Sequence, residues 1–343
     1  MINVKSRYPE KIRVSLGSAI LLDLITGKSD AAPTTLYLLT YHPGKCSANC
    51  SFCSQARSST SRSDQLSRVA WPIFAINPFL TQLNAVAKSR GVKRICLQAI
   101  NYPNVFEDTL YLIRELRKSN IPISISCQPF TENQIQQLAE AGIDRIGIPL
   151  DLPTESLFNE IKGNLTGSQY TWKAHFSALM AAVKQLGKGN VSTHFIVGLG
   201  ETDYDLLQVM QQMLNMGVYP SLFAFTPLPG TLLSTRSQPS ISRYRRLQVA
   251  HYLLVNGITR INNFTFNSKG CLLSFGIDTT SLTTVIQSGV PFQTSGCPGC
   301  NRPYYNERPG GILYNFPRKP NMHEAIKIEK QVRGECPCVK NGD

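Results

Sequence analysis

Two spacings of apolar residues take turns along most of the chain. Short, near-continuous runs of β-branched and aliphatic side chains fall at residues 35–40, 94–98, 121–127, 145–150, 191–197, 221–226, 259–266 and 290–294. Runs of that length predict strands buried on both faces. Between them lie segments with a helical repeat. One covers residues 80–90 and closes at Gly91, and a second covers 106–118. A third opens at Thr131, with Gln134 three residues on, and closes at Gly142; this is a capping-box start and a glycine stop. Two more carry the stripes Trp172, Phe176, Leu179, Met180, Val183 and, after Thr202, Leu206, Leu207, Met210, Met213, Leu214. Further helices are expected over 242–255, 271–276 and 280–288. Alternation of this kind predicts an α/β fold built on a parallel sheet, a complete or partial TIM-type (β/α)8 barrel. Reactive side chains are then expected at the carboxyl ends of the strands.

Residues 1–33 are loosely helical, with Ile12, Val14, Leu16, Ile20, Leu21 and Leu24 ahead of Gly27, and predict an N-terminal helical preface. The barrel is expected over 34–296 and a cysteine-containing C-terminal extension over 297–343. Residues 55–68 are rich in serine and arginine and lack any period, which predicts a lid or long loop.

Composition narrows the class. The chain has 343 residues, 42% of them hydrophobic, enough for a sizeable core. No apolar run approaches the ~20 residues that span a bilayer, and residues 4–13 carry charge where a secretion signal needs an apolar stretch. A cytoplasmic chain without a membrane role is expected. In that setting ten cysteines point to metal rather than to disulfides. The net charge of +13 is spread along the chain, so no nucleic-acid partner is expected. The one tight basic cluster, Arg243-Tyr-Arg-Arg246, predicts a solvated helix face, or a face that steers an acidic protein.

The densest chemistry is Cys46-Ser-Ala-Asn-Cys50-Ser-Phe-Cys53, in the loop after the first strand of the barrel. Three thiolates within eight residues can hold three irons of a [4Fe–4S] cube and leave the fourth open to a small molecule. A zinc knuckle would need a fourth ligand and paired C-x2-C spacing. Cys96, Cys127, Cys297 and Cys300 are candidates for a second metal centre, since they fall in or after strands two, three and eight. Cys297-Pro-Gly-Cys300 has ligand spacing. Cys96 and Cys127 taken singly are also compatible with small buried hydrophobes. A structural zinc on Cys297, Cys300, Cys336 and Cys338 is a competing arrangement.

The C-x3-C-x2-C motif, with Phe52 before its last cysteine, resembles the radical S-adenosylmethionine (SAM) enzymes. The resemblance implies that Cys46, Cys50 and Cys53 hold a [4Fe–4S] cluster, that SAM chelates its open iron, and that reductive cleavage yields a 5′-deoxyadenosyl radical. Cys96-Leu-Gln-Ala99, Ser126-Cys-Gln128, Ala141-Gly-Ile-Asp144 and Ile196-Val-Gly-Leu-Gly-Glu-Thr202 are similar to biotin synthase, a radical SAM sulfur-insertion family with a sacrificial auxiliary cluster. By that resemblance Asp151 contacts the SAM ribose, while Phe52, Ile196, Gly198 and Glu201 lie near adenine. Cys96 and Cys127 match two auxiliary-cluster ligands. Ser192 stands where that family has a third cysteine, and the region 259–265 has no matching terminal arginine. The cysteines at 297 and 300 are not a feature of that family. The whole looks most like the split, two-chain lipoyl synthases. Their implied substrate is an octanoylated carrier protein (lipoyl domain or H protein), with a paralogous radical SAM partner chain and a reductant such as ferredoxin. Biotin synthase, another radical SAM sulfurtransferase, or a non-catalytic iron–sulfur protein are the alternatives.

Overall fold

The computed structural model describes residues 8–308 and 310–334. Twelve strands occur in chain order: β1 (Lys11–Val14), β2 (Thr35–Thr40), β3 (Gln65–Leu66), β4 (Val69–Ala70), β5 (Ile73–Ala75), β6 (Arg94–Gln98), β7 (Ile123–Ser126), β8 (Arg145–Gly147), β9 (Val191–Val197), β10 (Val218–Ala224), β11 (Thr265–Phe266) and β12 (Leu272–Ser274). The helices are α1 (Leu16–Leu21), α2 (Ile76–Val86), α3 (Val105–Arg117), α4 (Glu132–Ala141), α5 (Glu155–Ile161), α6 (Trp172–Leu186), α7 (Asp203–Asn215), α8 (Ile241–Val255), α9 (Thr279–Ser288) and α10 (Met322–Arg333). None is long and apolar enough to cross a membrane.

An eight-stranded sheet runs β10-β9-β8-β7-β6-β2-β1-β5. From β2 to β10 its pairings are all parallel; β1 is antiparallel to both β2 and β5. Side-chain alternation sorts the strands into two faces. On β9, Val191, Thr193, Phe195 and Val197 are buried, while Ser192, His194 and Ile196 are half-buried and face the hollow of the sheet. The outer face, with Leu36, Leu38, Ile95, Leu97, Ile123, Ile125 and Ile146, forms the core against the helices. Several helix ends follow the local signals. Thr131 and Gln134 make the reciprocal capping box of α4, which stops at Gly142 with φ 105°. Thr202 caps α7 through the Asp205 N–H.

The barrel is not closed by strands. Residues 259–266 and 290–294, expected as strands seven and eight, do not join the sheet. The first makes a 3-10 turn, Ile261–Asn263, and then β11, which pairs only with β12 in a separate two-stranded sheet. The second is a 3-10 turn, Val290–Phe292, whose Pro291 has no N–H to give a ladder. Residues 271–276, expected as a helix, supply β12 instead. The expected helical preface holds strand β1, and the expected loop at 55–68 ends in the hairpin β3–β4. Helices α5 and α10 were not foreseen.

An irregular segment, residues 294–308, fills the gap between β10 and β2. On the β10 side, Ser295 Oγ accepts the Leu222 N–H (2.8 Å) and Asn306 Nδ2 donates to the Ala224 carbonyl (2.9 Å). On the β2 side, Asn301 Oδ1 accepts the Thr34 N–H (3.0 Å), and the Arg302 N–H donates to the Tyr37 hydroxyl (2.8 Å). At the β10 edge, side chains thus satisfy backbone groups that a further strand would have paired, while β2 is already flanked by β6 and β1. The segment beginning at Cys297, expected as an extension, is therefore part of the barrel wall.

The basic cluster on α8 is not a solvated face. Arg245 and Arg246 are buried. Arg245 donates to the carbonyls of Tyr314 (2.5 Å) and Leu313 and lies over the Phe316 ring, 5.1 Å from its centroid. Arg246 donates to the carbonyls of Val332 (2.9 Å) and Leu272 (3.0 Å). Arg243 pairs with Asp203 (2.7 Å) and Glu201 (3.0 Å). Arg245 and Arg246 bind the chain after residue 308 to the back of the barrel. Replacing Arg245 by alanine strips buried carbonyls of their donor. Chemical denaturation is expected to show a loss of roughly 2–4 kcal/mol; a loss below about 0.5 kcal/mol, the usual range for a surface substitution, would contradict this role.

Candidate active site

Two chambers open on the hollow face of the sheet. The first, about 180 Å³, is lined by Cys46, Cys50 and Cys53 together with Phe52, Gln98, Asp151, Lys162, Tyr170, His194, Ile196, Arg302 and Tyr305. The cysteine loop is held from several directions. The Cys46 N–H donates to the Gln55 carbonyl (2.9 Å), the Ser47 N–H to Asn101 (2.7 Å) and the Ser51 N–H to Ile161 (2.8 Å). Asn49 joins the loop to its surroundings, accepting from Ser58 Oγ (2.7 Å) and donating to the Thr166 carbonyl (2.8 Å). Two backbone N–H groups already point at sulfur: Asn101 to Cys46 Sγ (3.3 Å) and Gln55 to Cys53 Sγ (3.4 Å). Such bonds stabilise negative charge on thiolates and tune a cluster bound to them.

The chamber's chemistry fits an iron–sulfur cluster. Burial pushes the Cys53 thiol up to about 12, and the nearby Cys46 adds to the effect. Burial likewise raises Cys50, against the pull of Lys162. Bound iron relieves this penalty, because it neutralises the thiolates it binds. Four buried polar atoms on the chamber wall also lack a protein partner: Gln98 Nε2, Gln128 Oε1, the Tyr170 hydroxyl and Arg302 Nε. Buried polar atoms without partners are rare, and a polar ligand would satisfy them. Among the described residues no three His, Cys, Asp or Glu side chains converge as ligands of a single metal ion.

Asp151 faces this chamber with φ 70°, in the left-handed region. One carboxylate oxygen accepts from Lys162 Nζ (2.6 Å) and the other from His194 Nε2 (3.0 Å). Lys162 also donates to the Pro149 carbonyl and is buried at the end of α5. Burial alone would raise the Asp151 carboxyl, but Lys162 and His194 outweigh it and hold the group below the usual carboxylate range. Of the other residues expected near the cofactor, Phe52 and Ile196 line the chamber. Gly198 and Glu201 do not. The Glu201 carboxylate accepts the N–H groups of Gly198 (2.9 Å) and Leu199 (2.8 Å), so it ties the turn after β9. Gly198 has φ 105°, and a Cβ there would meet Pro239 Cδ at 2.9 Å; it is a packing glycine.

The second chamber, about 70 Å³, lies lower in the hollow and is lined by Cys96, Cys297 and Cys300 with Tyr37, Ser124, Ser192 and Arg302. Cys300 Sγ lies 3.2 Å from the Tyr37 hydroxyl. Burial raises Cys96 to about 12, opposed by Arg302 and reinforced by Cys297 and Cys300. Burial also raises Cys297, as does Cys300, while Arg94 and Arg145 oppose it. Cys127 lines neither chamber. Ser124 and Ser126 face the hollow, so alternation turns Cys127 toward the helices, where it is 1% exposed. Cys336 and Cys338 lie outside the described residues, so the expected four-cysteine zinc has half its ligands there.

Arg302 was not picked out from the sequence, nor were Lys162, Tyr170 and Tyr305. Arg302 borders both chambers. Its guanidinium lies 3.7 Å from the centre of the Tyr305 ring and donates to Gln98 Oε1 (2.9 Å). Its place two residues after Cys300 was the available signal.

A parallel sheet hollowed around a three-cysteine loop defines a class: an α/β enzyme carrying its reactive centre after the first parallel strand. The chain belongs to the Radical SAM superfamily, whose family model matches residues 40–213, just over half its length. That family uses a [4Fe–4S] cluster and SAM. Relatives at low identity are biotin synthases. That of Bordetella avium (strain 197N) is 25% identical over 66% of this chain and 68% of its own. That of Prochlorococcus marinus (strain MIT 9301) is 26% identical over 66% of this chain and 65% of its own. The matched segment thus spans about two thirds of these relatives. A solved methylornithine synthase (PylB) superposes with a TM-score of 0.49 at 15% identity, covering 70% of this chain and 66% of that one.

The buried Asp151–Lys162 pair sets a pH test. The depressed Asp151 contributes stability above its unfolded value near 4, lost as pH falls through its lower folded value. Lys162→Met removes that contribution and leaves a buried carboxylate short of its cation. The expected deficit against wild type is ~3–5 kcal/mol at pH 7, shrinking as pH drops below about 4. A deficit of equal size at all pH values would show that Lys162 acts through packing alone.

Proposed function

We propose that the chain is a radical SAM sulfur-insertion enzyme of the two-chain lipoyl synthase kind, acting on unactivated carbons of an octanoyl chain carried on a protein. The observation that carries this reading is a second set of interior thiols, Cys96, Cys297 and Cys300, in a chamber that shares Arg302 with the first. When bound, a [4Fe–4S] cluster with SAM would supply the hydrogen-abstracting radical, and an auxiliary cluster would supply sulfur. In this reading Cys46, Cys50 and Cys53 would hold the first cluster, and Cys96, Cys297 and Cys300 the second. Biotin synthase, the name of the relatives, is the nearest competitor. Ser192 at the third cysteine position of that family, with Cys127 facing away from the hollow, weighs against it.

The chain's own groups have definable tasks in this scheme. Alkyl C–H bonds offer no acid–base handle, so the protein's part is placement and exclusion of water. Phe52, Ile196 and Tyr305 give the first chamber apolar walls. Lys162 and His194 hold the Asp151 carboxylate as a fixed acceptor at its edge. Arg302 places a buried positive charge between the two thiol sets, where it offsets the negative charge of thiolate-bound clusters. A carrier protein, a paralogous partner chain and a ferredoxin-like reductant belong to this proposal.

Anaerobic reconstitution tests it. Wild-type protein is expected to yield 5′-deoxyadenosine under strong reductant and, with the partner chain, to add sulfur to an octanoyl-lysyl peptide. Replacing Cys46, Cys50 and Cys53 by alanine should abolish SAM cleavage. Replacing Cys297 and Cys300 by alanine should spare SAM cleavage, lower the iron content by about one cluster and abolish sulfur insertion. Loss of zinc at unchanged iron in that variant would instead make the pair a structural zinc site. Sulfur insertion into dethiobiotin, with none into the octanoyl peptide, would select biotin synthase. No SAM cleavage by any form would mark a non-catalytic iron–sulfur protein.

A further inference from the structure

The largest of the three cavities that meet at the barrel seam, about 500 Å³, is neither of the thiol chambers. It opens beside the seam, between α1, the β3–β4 hairpin and residues 302–308. Its flanks are apolar: Leu16 and Ile20 from α1, Val69 and Ala70 from β4, then Trp71 and Pro303. The polar side chains of Ser15, Ser29, Tyr37 and Glu307 in its wall are already engaged. Ser15 Oγ donates to Ser18 Oγ (2.9 Å), and the Glu307 carboxylate accepts the N–H groups of Asn306 (3.1 Å) and Asn315 (2.9 Å). The one side chain on this wall with a buried, unpartnered polar atom is Arg302, and Arg302 and Tyr305 also border the first thiol chamber. The cavity is therefore featureless to a polar ligand along its length and meets the chemistry only at its inner end. Its outer end is different. Exposed Lys28 and Arg308 and half-buried Arg68 line the opening, against the single acid Asp30.

We propose that this side cavity is the acyl channel: it takes an unbranched aliphatic chain of medium length, fed from an acidic carrier domain at the basic opening, with the Arg302–Tyr305 pair as the partition between chain and clusters. The proposal rests on the sulfur-insertion reading for its chemistry, but the channel's ligand class follows from its walls. A volume of about 500 Å³ lies within the usual range of small-molecule sites. An alkyl chain binds by burying methylenes alone, which suits a wall whose hydrogen-bonding groups are used up.

Gly17, in the first turn of α1, allows a clean test. It lines the cavity, and a Cβ added there would meet only the Pro33 ring, at 3.9 Å. A larger side chain at 17 would thus project into the channel without displacing backbone. Trp71 in the wall provides a fluorescence reporter, with Trp71→Phe identifying its share of the signal. The experiment titrates N-butanoyl-, N-octanoyl- and N-dodecanoyl-lysine amide into the reconstituted holoprotein with SAM. Wild type is expected to bind the octanoyl probe saturably, with affinity rising roughly fourfold per methylene between butanoyl and octanoyl. Gly17→Phe should weaken octanoyl binding at least tenfold and shift the preference toward butanoyl. SAM affinity and melting temperature serve as fold controls; if Gly17→Phe disturbs them, Gly17→Leu replaces it with a smaller plug. Unchanged octanoyl affinity in a folded plugged variant would overturn the channel, as would no saturable binding of any acyl probe by wild type. Channel and chemistry separate cleanly. Octanoyl binding lost on plugging, with no sulfur ever added by wild type, would uphold the channel and sink the sulfur-insertion reading. Product formed equally by wild type and the plugged variant would do the reverse.

Discussion

A sheet that curls but runs out of strands must do something with its last edges, and here that constraint organises the molecule. β10 ends the parallel run with an unpaired edge, whereas β2, across the gap, is already flanked by β6 and β1. Residues 294–308 settle both sides with side chains: Ser295 and Asn306 reach β10, and Asn301 and Tyr37 tie the other side. An irregular segment does this where a strand could not, because it can turn side chains and backbone to either edge as needed. The consequence is chemical. A strand at this place would alternate its residues in and out, whereas the irregular segment directs Cys297, Cys300 and Arg302 into the hollow together.

The chain that follows this segment is held from behind by α8. Arg245 and Gln248 on α8 bind the carbonyl of Tyr314, and Arg246 binds the carbonyls of Val332 and Leu272. Burying guanidinium groups is expensive unless their donors are met. Here carbonyls meet most of them, Arg246 Nε excepted, and the Phe292, Phe316 and Phe275 rings lie beneath them. The positive charge at Arg245 and Arg246 is thus structural, which explains why this cluster does not make a basic face at α8.

Electrostatics inside the hollow follow a single rule: charges are permitted where an opposite partner or a π-face meets them. Asp151 is ionised because Lys162 and His194 share it. Arg302 has no carboxylate among its hydrogen-bond partners; Gln98 and the Tyr305, Tyr37 and Phe223 rings surround it. Buried thiols cluster on either side of this cation. Thiols buried near a cation that lacks a carboxylate partner form a set that an anionic group would complement.

The sequence by itself determined whatever depends on near neighbours along the chain. The three-cysteine loop was legible because its ligands fall within eight consecutive residues, and so were the parallel strands through β10, since each carries its own apolar run. The caps at Thr131 and Thr202 were legible for the same reason. Misreadings came where a local pattern competes with distant partners. Residues 259–266 and 290–294 have strand-like composition, but the first gives a 3-10 turn and a strand that pairs only with β12, and the second a 3-10 turn carrying Pro291; the arginines of α8 look solvated until the chain after residue 308 folds over them. Glu201 matched a cofactor motif, yet its oxygens close the turn beneath it. Cys127 and Cys96 looked equivalent, but strand register turns one toward the helices and the other into the hollow. Tertiary structure alone brought Cys300 to Tyr37 and Arg302 to Gln98, across separations of 263 and 204 residues. No periodicity encodes such meetings; they exist because a curved sheet leaves a gap beside β10 and one segment of this chain bridges it to β2.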